Sequence, residues 1–385
     1  MKKLFFFLVL TISVSVLWAQ VGNNSFNTSS WKLLDNAQRA YDEGDIMMAM
    51  KLAENARQAR IEEFTNAADT MEKALIPTAV QRRGDVIADI RAIWEERKET
   101  QAIEVLDDAL LLHTVDDFGN NINNVCEWYR SRVAYPEAEY LLAKLYMLEG
   151  EYDLAAVFFD NALSHANVLD IPEEKISILY DFAYLDELRE DTADYEKKLT
   201  DIIDYNQSKK TIQEQNEFNT YLSAIIRATG NNRSIDNFFL LYRMNDYDTI
   251  SACIELASYY VENDYYAKAY PFSIRAVLTS FTKIYEILTS RNVKYAFKSD
   301  PTGNDRTYAF TGFIQEALKY SDVQKWMRDN KVWNSFYIFG KLLLEYRHNT
   351  PLANDVFTVL YNECPDSYVK KAAATMLGIN EEPDL

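Results

Sequence analysis

Three histidines, three cysteines and 59 carboxylates are the residues of this chain best suited to ligate a metal or attack a substrate. Their spacing argues against most such chemistry. His113, His165 and His348 stand far apart with no His-Glu-x-x-His run, so zinc ligation would require the fold to gather them with carboxylates or thiolates. Cys126, Cys253 and Cys364 are too few and too widely spaced for an exported disulfide scaffold. They read as small buried apolar residues, with one disulfide and an odd thiol as the alternative. Ser-x-x-Lys occurs at Ser29, Ser280 and Ser367, but the Ser-Asp-Asn and Lys-Thr-Gly motifs that accompany it in acyl-transfer enzymes are absent. Acid pairs such as Glu95 with Glu96 and Asp107 with Asp108 read as solvated helix faces rather than catalytic dyads. Asp300, Asn304 and Asp305 offer oxygens to calcium, but the EF-hand spacing fails and a plain polar loop is the better reading. Phosphate-cradling loops need closely spaced glycines, and the two nearest here are Gly303 and Gly312. That excludes a Walker loop, a dinucleotide fingerprint and the Gly-x-Ser-x-Gly elbow. No cofactor and no metal is expected, and no catalytic residue is assigned.

The elements that would carry any site are helices. Glycine (10) and proline (8) run at about half their usual frequency or less, which disfavours many short strands joined by turns. Apolar residues make up 48% of the chain, and 6 Trp, 20 Phe and 26 Tyr supply ample surface to bury, which disfavours disorder. A net charge of −19 argues against a nucleic-acid backbone as the main partner. Residues 1–19 have the layout of a secretory signal peptide: Lys2 and Lys3, an apolar run from Leu4 to Leu17, and Ala19 at the cut. Cleavage there leaves 366 of 385 residues and, with both lysines gone, takes the charge from −19 to −21. The run is short for a span of about 20 residues, so an uncleaved anchor is the lesser reading and no stable membrane insertion is expected afterwards. No cysteine lies near the cut to carry a lipid. The expected location is periplasmic or extracellular.

Residues 20–29 read as a flexible leader, 30–290 as helical pairs, 291–308 as a polar loop and 309–385 as a C-terminal helical region. The clearest pair begins at Pro136. Its first helix carries Leu142, Ala143 and Tyr146, its turn is Glu149-Gly150-Glu151, and its second helix carries Tyr152, Ala155, Phe159, Ala162 and Leu163. Steps of three and four put these on one face, with small residues where two helix axes must approach closely. A second pair starts near Ile250, with Leu256, Ala257, Tyr260, Ala269 and Ala276; Pro271 inside its second helix should kink it. A third starts near Ser30, with Ala37, Gly44, Ala49 and Ala56. Weaker pairs begin near Arg83 (Ile93, Ala102, Leu106, Ala109), Ile176 (Phe182, Ala183, Tyr195, Leu199) and Asn216 (Leu222, Gly230, Phe239, Tyr242). Helices are expected near 309–329, 333–347, 352–362 and 366–377, the last capped by Ser367, and together they would cap the array.

Over roughly residues 30–283 this pattern resembles the tetratricopeptide repeat, a helical pair of 34 residues. The resemblance implies an all-α superhelical solenoid, with a C-terminal helical cap, whose first helices line a concave groove. Transferred residue by residue, the groove positions fall on Tyr140, Lys144 and Met147 in the Pro136 pair, on Tyr180 and Tyr184 in the Ile176 pair, on Arg227 in the Asn216 pair and on Ile254 in the Ile250 pair. Tyrosine and arginine are common interface anchors; the competing reading is that these tyrosines pack against the next pair. Some family members grip a C-terminal carboxylate with a lysine and an asparagine. Here Tyr140 and Lys144, or Tyr180 and Tyr184, hold those places, which argues against that mode. The resulting expectation is a non-enzymatic scaffold of the cell envelope that binds a protein or peptide of basic character. The alternatives are a peptidoglycan-acting enzyme with Glu316 as its acid, and an outer-membrane assembly subunit.

Overall fold

The computed structural model describes residues 29–74, 126–229, 244–291 and 308–379, and among them every regular element is a helix. The expected signal peptide, all of the leader but Ser29, the Arg83 pair, Gly230, Phe239 and Tyr242, and the 291–308 loop apart from its two end residues lie outside the described residues. The chain divides into two compact units, residues 1–190 and 191–385. The division falls inside the Ile176 pair and assigns its two helices to different units.

In the first unit, α1 (Ser30–Asp42) packs on α2 (Ile46–Ala74), and α3 (Pro136–Leu148) packs on α4 (Tyr152–Ser164). Then α2 packs on α3, and α4 on α5 (Glu174–Leu188). The first helices α1, α3 and α5 also touch in series. Alanine explains the close approach: Ala37, Ala40, Ala49 and Ala53 meet Leu141, Leu142 and Leu145 in one buried cluster. Ala143, Ala155 and Ala162 leave room for Phe159 and Phe182, which stack at 5.1 Å in the next. Burying each ring contributes on the order of 2–3 kcal/mol.

The two turns share one design. Gly44 (φ 81°) and Gly150 (φ 79°) adopt the left-handed conformation that ends a helix without a Cβ penalty. Asp45 N–H then donates to the Ala40 carbonyl, and Glu151 N–H to that of Tyr146, at 2.8 and 2.9 Å. The Ser30 and Pro136 pairs stack directly through α2 and α3. Helix α2, about 44 Å long for 29 residues, outruns α1. Helical residues 126–131 meet its far half: Phe64 packs on Tyr129 and Trp128, and the Cys126 thiol reaches the Ala68 carbonyl.

The second unit contains α6 (Thr192–Ser208), α7 (Ile212–Thr229), α8 (Ile250–Glu262), α9 (Tyr266–Ser290), α10 (Tyr308–Ala317), α11 (Ser321–Asp329), α12 (Val332–Glu345), α13 (Thr350–Glu363) and α14 (Ser367–Met376). Helix α8 packs on α9, α9 on α12, α12 on α13 and α13 on α14, while α6 packs on α8 and α7 on α9. The α8–α9 turn repeats the pattern of the first unit with Asp264 at φ 62° in place of glycine. Helix α9 runs through Pro271 to Ser290, so proline does not end it. The expected 309–329 helix is two helices, separated at residues 318–320. Ser367 is the first helical residue rather than the cap: Asp366 accepts from Tyr368 N–H and Val369 N–H.

Candidate functional site

The face shared by α1, α3 and α5 brings two of the sequence candidates together. Tyr140 and Lys144 sit one turn apart on α3, and the Lys144 ammonium lies 4.4 Å from the centre of the Tyr140 ring. It also lies 5.2 Å from the Tyr41 ring on α1. The Tyr140 hydroxyl donates to Asp181 Oδ2 on α5 at 2.5 Å, and its ring rests 6.1 Å from Phe159. Burial, and then the bond to Asp181, push the Tyr140 hydroxyl far above its usual range, so it stays a hydrogen donor. These contacts link the three first helices side by side.

Carboxylates crowd the same face. Glu137 Oε1, on α3, accepts the Asp170 N–H at 2.7 Å. Burial and the Asp170 charge push the Glu137 carboxyl up to about 7. Glu174 on α5 is also raised, by burial and then by Asp170, and the Lys144 charge pulls it back. Tyr41, Asp170, Glu174 and Asp181 were missed by the sequence reading. The signal for two of them was present: Glu174 and Asp181 are seven residues apart, hence on one face of α5, and Tyr184 follows one turn later.

The other candidates are placed as follows. Tyr184 is 52% exposed and offers its ring to solvent. Tyr180 and Met147 are half-buried, Met147 against the core between α3, α4 and α5. Arg227 and Ile254 belong to the second unit. Arg227 is exposed, and its Nε donates to the Ser223 carbonyl of its own helix at 3.3 Å. Ile254 is 4% exposed, in a helix buried around most of its girth from Ile250 to Val261, so it belongs to the core and leaves the candidate surface.

The residues with reactive potential are otherwise engaged. Glu316 accepts from Lys319 one turn on, at 2.7 Å. His165 Nδ1 lies 3.2 Å from Glu139 Oε2, and Arg57 approaches the same carboxylate at 3.7 Å. Cys126, Cys253 and Cys364 are free and buried. Burial pushes the Cys126 and Cys364 thiols up to about 11 and raises Cys253 as well, which keeps all three protonated and poorly nucleophilic. Among the described residues no three His, Cys, Asp or Glu side chains converge on a metal-sized site, and no helix is long and apolar enough to cross a membrane. His113, Asp300, Asn304 and Asp305 lie outside the described residues.

No family model matches the chain. It is 26% identical over 345 residues to an uncharacterized protein of Treponema pallidum, a match covering 89% of this chain and 88% of that protein. It is 24% identical over 232 residues to an uncharacterized protein of Borreliella burgdorferi, covering 56% of this chain and 68% of the relative. The chain is thus similar to two proteins whose names carry no activity, and the first similarity runs through both of its units.

Proposed function

We propose that the protein is an exported, non-enzymatic scaffold of tetratricopeptide-like helical pairs that binds a protein or peptide segment on the face of α1, α3 and α5. The observation that carries this reading is the chain of contacts from Tyr41 through Lys144 and Tyr140 to Asp181, which joins three successive first helices into one polar, aromatic surface. Such a surface is already ordered before a partner arrives, which lowers the entropic cost of binding. The exposed Tyr184 ring supplies area with a polar tip, a common anchor. Export rests on the signal-like pattern of residues 1–19.

The test uses the tagged mature protein as bait in envelope extract, beside Tyr184→Asp and Lys144→Glu baits. Tyr184 is exposed and Lys144 half-buried, so both variants should keep the helical circular-dichroism signal of the parent. The expected result is a dominant partner, retained by the parent and lost from both variants. Equal recovery of that partner by the variants would move binding off this face.

A further inference from the structure

A second cluster, wholly in the second unit, sets two cations on one buried carboxylate. Asp246, 3% exposed, receives Lys210 Nζ on Oδ1 and Gln207 Nε2 on Oδ2, the latter at 3.2 Å. Arg275 Nη2, from α9, reaches the same Oδ2 only at 3.4 Å. Arg275 is 7% exposed, and its Nε is buried with no hydrogen-bond partner. Among the described residues, Asp246 is the one carboxylate in ion-pair contact with either cation. Glu214, the acid next along from Lys210, accepts the Thr211 N–H and hydroxyl on Oε2, and its exposed charge acts on Lys210 without an ion-pair contact. Asp246 is thus the one buried carboxylate that the two cations share. The aromatic ring of Phe218 lies 4.7 Å from the Arg275 guanidinium carbon and 5.1 Å from Lys210 Nζ, and gives both cations an apolar floor.

A buried guanidinium is costly unless its donors are satisfied and its charge is paired. A trapped water would take the Nε hydrogen bond but would add no negative charge to the carboxylate that the two cations share. An oxyanion answers both needs, because a guanidinium presents a planar fork of N–H groups and lysine adds a point charge. Lys210 keeps the site in touch with solvent, its side chain being 21% exposed. The loop carrying it is fixed by Gln215, whose Nε2 donates to the Gln207 and Lys210 carbonyls, each at 3.1 Å. We propose that Arg275 and Lys210 bind a small oxyanion, the phosphate or carboxylate group of a soluble ligand, above Phe218 and beside Asp246. This site is independent of the partner-binding face.

The test is calorimetric titration of the full mature chain with inorganic phosphate and, separately, with acetate, at ionic strength held constant with chloride. Saturable uptake of one anion per chain is expected. Phosphate alone would point to a phosphorylated ligand, and acetate alone to a carboxylate. Arg275→Gln should weaken uptake about tenfold to a hundredfold, the range for a lost hydrogen bond to a charged group, and Lys210→Gln should weaken it too. If Arg275→Gln loses its helical circular-dichroism signal, Lys210→Gln decides, because its side chain is partly exposed. No saturable uptake of either anion, or uptake unchanged by Lys210→Gln, would overturn the proposal.

Discussion

Glu137 is the side chain on the candidate face whose environment can be read most directly in solution. Burial and the Asp170 charge raise its carboxyl from 4.5 to about 7. Between these values the folded chain binds more protons than the unfolded one, so this residue lowers stability as pH rises through that window. The full shift would be worth about 3 kcal/mol, but the carboxyl keeps some contact with water, so about 1–2 kcal/mol is expected after screening. Glu137→Gln keeps an oxygen to accept the Asp170 N–H and cannot ionise. In urea unfolding it should be more stable than the parent by that amount at pH 8, and the two should converge near pH 4.5. A difference that is constant across pH would show that Glu137 is not held as the structure has it. The same scale marks the limit of sequence reading. Tyr140 and Lys144 were legible because they lie on one helix, where spacing fixes the face. Asp181, which takes the Tyr140 proton donor, lies on another helix, and only the packing register between α3 and α5 pairs them.

At the scale of elements, the turns were legible and the stacking was not. Gly150 marked the turn of its pair and Gly44 stood at the matching place in the Ser30 pair, and the structure puts both in the left-handed conformation; Asp264 does the same without glycine because aspartate tolerates that region. Sequence distance did not reveal that the Ser30 and Pro136 pairs touch, since loop closure costs only weakly more as an insertion grows. Nor did periodicity foresee Gly340, where α12 crosses α13. A Cβ there would lie 2.9 Å and 3.0 Å from Phe357 ring carbons and 3.3 Å from Val356 Cγ1. Overpacking costs about 1–3 kcal/mol, while alanine gains about 1 kcal/mol of helix propensity over glycine. The crowding should win, so Gly340→Ala loses about 1 kcal/mol in urea unfolding. Adding Phe357→Leu to that variant should lower the penalty of the alanine relative to the leucine background. A more stable Gly340→Ala would show that the two helices are further apart than this.

The whole molecule is acidic, at −19 over 385 residues, and its candidate face carries Glu137, Glu174 and Asp181 beside the cation Lys144. Composition made the helical class and the sign of the field legible. It could not give the partner, because shape is shared across many functions and specificity resides in a few surface side chains. The field itself makes a testable claim about that partner. Opposite charges speed encounter through long-range attraction, and salt screens it: the Debye length falls from about 10 Å at 0.1 M to about 3 Å at 1 M. A partner segment of basic character should therefore associate about tenfold more slowly at 0.5 M salt than at 0.05 M, while its dissociation rate changes little, because contacts at short range are screened less. Surface plasmon resonance with the captured partner separates the two rates. Reversing Lys144 to glutamate should steepen the salt dependence of association, since it adds to the acidic field, even as the lost cation–aromatic contacts with Tyr41 and Tyr140 disturb the face and speed dissociation. Association that is indifferent to salt would mean that the partner is recognised through apolar surface such as the Tyr184 ring, and that the acidic face only keeps the protein in solution.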